Sequence, residues 1–172
     1  MPSPVNRRVR TLTRDAMLLA LALLLSYVES LVPLAFALPG MKLGLANLAV
    51  MYAFFNVSRL HGVVISLLRV CLVSLLFGQA SSFFFALCGA CLSAIALFLL
   101  SLAGDRLSRI GVSVGCAAAH GIGQVMAAVI LYGTAGVLSY LPYLLLAALP
   151  FGALCGLLLY LCERAIPRGV IR

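Results

Sequence analysis

Val70–Gly104, VCLVSLLFGQASSFFFALCGACLSAIALFLLSLAG, runs 35 residues without an Asp, Glu, Lys, Arg or His. One bilayer span needs roughly 20 apolar residues, so this stretch holds two spans joined by a tight turn. Gly121–Cys162 repeats the situation over 42 residues. Outward from these runs the whole chain has the same character: 172 residues, 65% hydrophobic, 9% charged, mean hydropathy +1.20. A water-soluble domain sits near 45–50% apolar and about 25% charged. The composition therefore excludes a soluble catalytic or nucleic-acid-binding domain and predicts an all-α integral membrane protein.

Turn and breaker residues divide the chain into six expected transmembrane helices, at 15–33, 43–57, 61–77, 83–103, 111–132 and 138–162. Residues 1–14 read as a basic cytoplasmic tail, 15–164 as a six-helix bundle, and 165–172 as a second basic tail. The apolar run after residue 14 has no small-residue cleavage site, which argues against a signal peptide. The formal charge of +8 is topological. With the N-terminus inside, Arg7, Arg8, Arg10, Arg14, Arg59, Arg106, Arg109, Arg164, Arg168 and Arg172 are all cytoplasmic, and only Lys42 is outside. That asymmetry predicts cytoplasmic N- and C-termini. Phe83, Phe84, Phe85, Tyr132, Tyr140 and Tyr143 fall at the outer interface, and Tyr52, Phe54, Phe55 and Tyr160 nearer the inner one. The first outer connection, Pro33–Lys42, is apolar, bounded by prolines and longer than a turn requires, so it could fold over the bundle.

Small residues spaced by four mark close helix approach: Ala16/Ala20, Gly111/Gly115 and Gly152/Gly156. Packing within the bundle accounts for such pairs. Ala16 and Ala20, on the first helix beside the basic segment, are the best candidates for docking another subunit. Pro150 is expected to kink the sixth helix. The six cysteines all lie in apolar runs and form no disulfide framework.

Three ionisable groups, Glu29, Arg69 and His120, fall inside spans, where each costs at least about 2.5–3.5 kcal/mol to insert. Such groups should face the interior and have a partner or a ligand. Glu29 and Arg69 are opposite in charge and similar in depth, which fits either a structural ion pair or a polar site open to the outside. Lys42 and Asn47 would add a cation and an amide to that site, suiting a ligand with an anionic part. On the fifth helix Ser113, Cys116, His120 and Gln124 recur at three- and four-residue spacing, a polar stripe on one face. A lone histidine is commonly bonded to a neighbour, but Gln124 at i+4 doubles the polar content. The candidate binding set is therefore Glu29, Lys42, Asn47, Arg69, His120 and Gln124.

Other chemistries lack their residues. There is no GxxxxGK[ST] phosphate loop, and the four acidic residues, Asp15, Glu29, Asp105 and Glu163, are too scattered to pair around Mg²⁺. Cys88-Gly-Ala-Cys91 lies in an apolar helix without the polar setting of a redox or zinc site. No metal, cofactor or enzymatic activity is expected.

Leu25-Ser-Tyr-Val-Glu29-Ser-Leu-Val-Pro33, Pro39-Gly-Met-Lys42-Leu-Gly-Leu-Ala-Asn47-Leu, Ser66-Leu-Leu-Arg69-Val, Leu76-Phe-Gly78, Ile110-Gly-Val-Ser113-Val and Ala119-His120-Gly-Ile-Gly-Gln124 together resemble the Gx transporter family. That family is also labelled heptaprenyl diphosphate synthase component I. It is similar in architecture to the substrate-binding S components of energy-coupling-factor transporters. The resemblance implies capture of a vitamin or cofactor precursor from outside, with a T component and two ATPase subunits as partners. It implies that Ala16 and Ala20 meet the T component, that Pro33–Lys42 closes over the ligand, and that Arg69, His120 and Gln124 are candidates to complete the pocket. The aspartate-rich motifs of prenyl synthases are missing. A membrane anchor for a prenyl- or quinone-metabolising enzyme, or for a redox assembly, is the alternative from another class.

Overall fold

Long apolar segments can leave no backbone N–H or C=O unpaired in hydrocarbon, and an α-helix satisfies them all internally. The computed structural model describes residues 4–31, 44–77 and 80–165, and its regular elements are helical throughout. Six α-helices follow in order: α1 Pro4–Leu31, α2 Leu45–Asn56, α3 Arg59–Phe77, α4 Ala80–Ser101, α5 Arg109–Tyr132 and α6 Leu141–Ala165. Short 3₁₀ turns, Gly104–Arg106 and Ala135–Tyr140, link α4 to α5 and α5 to α6.

Five of these helices are long and apolar enough to cross a membrane; α2, at 12 residues, is apolar but shorter. The second expected segment, 43–57, is thus the short helix of the six. Twelve residues rise only about 18 Å, against a hydrocarbon core of about 30 Å. The structure differs from expectation at the start of the chain. Helix α1 begins at Pro4, well before the expected start at residue 15. Proline is tolerated in the first helical turn, where its missing N–H would have no intrahelical partner. Nothing from Val5 to Leu31 is glycine or proline, so the basic segment continues the helix with Arg8 and Arg10 exposed.

Helix α2 packs on α1, α3 and α6, while α4 packs on α3 and α5, and α5 on α6. The five helices α2 to α6 therefore close a ring, with α1 laid against α2 and α3 outside it. Met51, Tyr52 and Phe54 of α2 reach into this ring and form the core with Leu97, Val112, Cys116 and Leu159. The basic helix ends gather at one end of the bundle. Asp15 of α1 pairs with His61 of α3 at 3.2 Å. Glu163 of α6 accepts from Arg109 Nε of α5 at 3.1 Å and from Asn56 Nδ2 of α2 at 3.0 Å. Ser108 caps α5 by accepting from the Gly111 N–H at 3.0 Å. At the opposite end Phe85 meets Tyr132, and Tyr140 meets Tyr143.

Close helix approach depends on glycine. A Cβ at Gly156 would lie 2.5 Å from Ile110 Cα, and one at Gly152 would lie 2.7 Å from Val114 Cα, so this pair seats α6 on α5. Gly115 faces Leu100 of α4 instead. Gly115, Gly152 and Gly156 are internal packing positions, whereas Gly111 is exposed and a Cβ there would meet only Ser108 of its own helix cap. Ala16 and Ala20 are different: both are exposed, on a face of α1 shared with Met17 (69%), Leu24 (58%) and Leu31 (64%).

Candidate functional site

Helix α2 begins inside the bundle. Measured from the Asn56–Glu163 contact, its first residue stands about 17 Å up, whereas α6 continues to about 33 Å. A helix start there presents backbone N–H groups without intrahelical acceptors and the positive end of the helix dipole. Gly44 supplies the turn. Its φ of 76° lies in the left-handed region that favours glycine, and it has no side chain with which to cap.

Glu29 of α1 provides the missing acceptor. Its Oε1 accepts from the Gly44 N–H at 2.6 Å, the bond that a Glu or Gln at the third helical position makes in a capping box. The residue at that position here is Asn47. Its own N–H donates to the Gly44 carbonyl at 2.9 Å, and its carboxamide has no hydrogen bond among the described residues. Arg69 of α3 is half-buried, and its counter-charge is Glu29, which acts on it through space. Among the described residues the guanidinium makes no hydrogen bond or ion pair. Cys155 of α6 completes the group: its Sγ lies 3.8 Å from where a Gly44 Cβ would be, within the field of Glu29.

Glu29, Asn47 and Arg69 are thus brought to the start of α2 from three helices. Glu29 is committed to the helix cap. Among the described residues nothing bonds the donors of Arg69 or the amide of Asn47, and an anion would suit both the guanidinium and the helix terminus. Lys42 and the segment Pro33–Lys42 lie outside the described residues.

His120 and Gln124 stand on another wall. Helix α5 packs chiefly on α4 and α6, and the His120 imidazole lies over Gly89 of α4. A Cβ there would come within 2.8–2.9 Å of three ring atoms. One turn on, a Cβ at Gly123 would meet the Cys88 carbonyl oxygen at 2.6 Å and Gly89 Cα at 2.8 Å, so the α4 and α5 backbones touch. The predicted polar stripe divides at this crossing. Ser113 (1% exposed) and Cys116 (0%) belong to the core, as does Ser93 of α4. His120 and Gln124 are half-buried, and Gln124 has no hydrogen bond among the described residues. Among the described residues, no cluster of three or more His, Cys, Asp and Glu could hold a metal ion.

Gly44, Gly89 and Cys155 escaped the sequence reading as site residues. Gly44 was detectable as the glycine before an apolar helix without a capping side chain. Gly89 and Cys155 carry no signal of their own, because their importance lies in what the neighbouring helix places against them.

A multi-pass helical membrane protein with opposite charges, Glu29 and Arg69, near a helix start within the bundle is the class that this fold and site define. The chain belongs to the heptaprenyl diphosphate synthase component I family, whose model matches residues 18–162. No curated protein and no solved structure matches it.

Proposed function

We propose that this protein is the membrane-embedded substrate-binding subunit of a transporter, resembling the S components of energy-coupling-factor systems. It takes up a small anionic molecule of the vitamin or cofactor-precursor type. The observation that carries this reading is the helix start inside the bundle, with Arg69 and Asn47 beside it holding donors that no described residue occupies. A purely structural ion pair would consume those donors, since buried polar groups are costly when unpaired. Both termini lie in the cytoplasm, and α2 completes a set of six membrane segments with the site open to the outer side. Ala16 and Ala20, on the uncovered face of α1, dock a T component, and separate ATPase subunits supply the energy. The protein itself performs no catalysis.

The family's description supports a second reading. A chain grouped with a component of heptaprenyl diphosphate synthase would serve as the membrane anchor of a prenyl-metabolising enzyme, docking it through the same face of α1.

Ligand binding by purified Arg69→Ala and His120→Ala proteins tests the first reading. Loss of a charged hydrogen bond is worth about 1.5–3 kcal/mol, so Arg69→Ala is expected to weaken binding by about tenfold to a hundredfold. His120→Ala, on the opposite wall, is expected to weaken it less. Unchanged affinity in folded variants would remove these residues from the site.

A further inference from the structure

At the basic end of the bundle, away from the site at the start of α2, the helix ends enclose a second pocket of about 220 Å³. Its walls include Phe54 and Phe55 of α2, Arg59 at the start of α3, Ser101 of α4, Gly104 of the following 3₁₀ turn and Arg109 at the start of α5. Two guanidinium groups line it, and each is held in place by an aromatic face. Arg109 stacks 3.9 Å from the Phe55 ring centroid, and Arg59 stands 5.6 Å from that of Phe98. Stacking of this kind orients a guanidinium while leaving its edge free to bond.

The donors exceed the acceptors. Arg109 uses Nε on Glu163, whose other oxygen is taken by Asn56. Its Nη groups have no acceptor among the described residues, and Arg59 has neither a hydrogen bond nor an ion pair among them. The residues that line the pocket include two guanidinium groups and no carboxylate, so this lining is positively charged. The ligand chemistry that such forks match is phosphate, which accepts paired N–H bonds in one plane. Basic pockets between helix ends on the cytoplasmic side also suit anionic lipid headgroups.

We propose that the Arg59–Arg109 pocket is a phosphate-binding site. Two sources could fill it, the headgroup of an anionic phospholipid or a soluble phosphate compound, and both would present the same group to the same forks.

The test uses the full chain purified in a neutral detergent, with two probes: dioleoylphosphatidylglycerol, followed by native mass spectrometry, and inorganic pyrophosphate, followed by calorimetry. Saturable binding of at least one probe is expected. Arg59→Gln should weaken it about tenfold or more, and Arg59→Lys, which keeps the charge but loses the fork, by a smaller factor. Arg8→Gln, an exposed arginine on α1, should leave it unchanged. Binding of the lipid alone assigns the site to a headgroup, and binding of pyrophosphate assigns it to a soluble compound. Absence of saturable binding by either probe overturns the proposal. Equal affinity of Arg59→Gln and the parent overturns it too, as does an equal loss in Arg8→Gln, which would mark general attraction to a basic surface.

Discussion

Glu29→Ala is expected to destabilise the bundle by about 2–4 kcal/mol, as the loss of one hydrogen-bond acceptor and one counter-charge from the same place. The substitution leaves the Gly44 N–H without its partner at 2.6 Å and Arg69 without the carboxylate that acts on it. Glu29→Gln keeps an oxygen for Gly44 and loses only the charge, so its cost should be roughly half as large. Removing the charge that Glu29 balances should then recover stability: Glu29→Ala combined with Arg69→Met is expected to be more stable than Glu29→Ala alone. Reversible unfolding of the four proteins in mixed detergent checks the order. A Glu29→Ala protein as stable as the parent would show that the cap and the charge pair carry no weight.

Gly123→Val should have an effect at least as large, by a different mechanism. Its Cβ would be driven to 2.6 Å from the Cys88 carbonyl and 2.8 Å from Gly89 Cα. Both are backbone atoms, so no side chain can swing away and the α4–α5 interface must open. Overpacking against side chains costs about 1–3 kcal/mol, and a clash between backbones belongs at or above the upper end. Opening the crossing also removes the seat of the His120 ring on Gly89, so ligand binding should fall along with stability. Gly136→Ala is the control, since a Cβ there meets nothing within 4 Å. It is expected to change stability by less than about 0.5 kcal/mol. Thermal unfolding in detergent, with both variants beside the parent, distinguishes the outcomes; equal melting of the two would contradict the backbone contact.

The helices were legible because hydrophobic run length, glycine and proline are local signals. Five of the six expected segments, 43–57, 61–77, 83–103, 111–132 and 138–162, lie within a few residues of α2 to α6. Glu29 and Arg69 stood out for the same reason, being ionised groups in runs that should hold none. The depth of α2 was hidden. An apolar segment looks the same whether it crosses the bilayer or begins halfway, and only the Asn56–Glu163 contact fixes where α2 ends. That contact also shows why the second pocket was missed: Arg59, Arg109 and Glu163 read individually as interfacial charges, and nothing in their spacing tells that α2, α5 and α6 meet there. The stripe on α5 was read correctly as one face, but periodicity does not reveal that Ser113 and Cys116 pack into the core while His120 and Gln124 remain half-buried. The packing of neighbouring helices decides that difference.

Native mass spectrometry of the protein extracted from its own membrane in mild detergent tests the central claim most directly, because it reads ligand and partner subunits together. The account predicts a retained small anionic molecule, lost on Arg69→Ala, and co-extraction of a T component with ATPase subunits. Recovery with a prenyl-metabolising enzyme and no ligand at the start of α2 would contradict it.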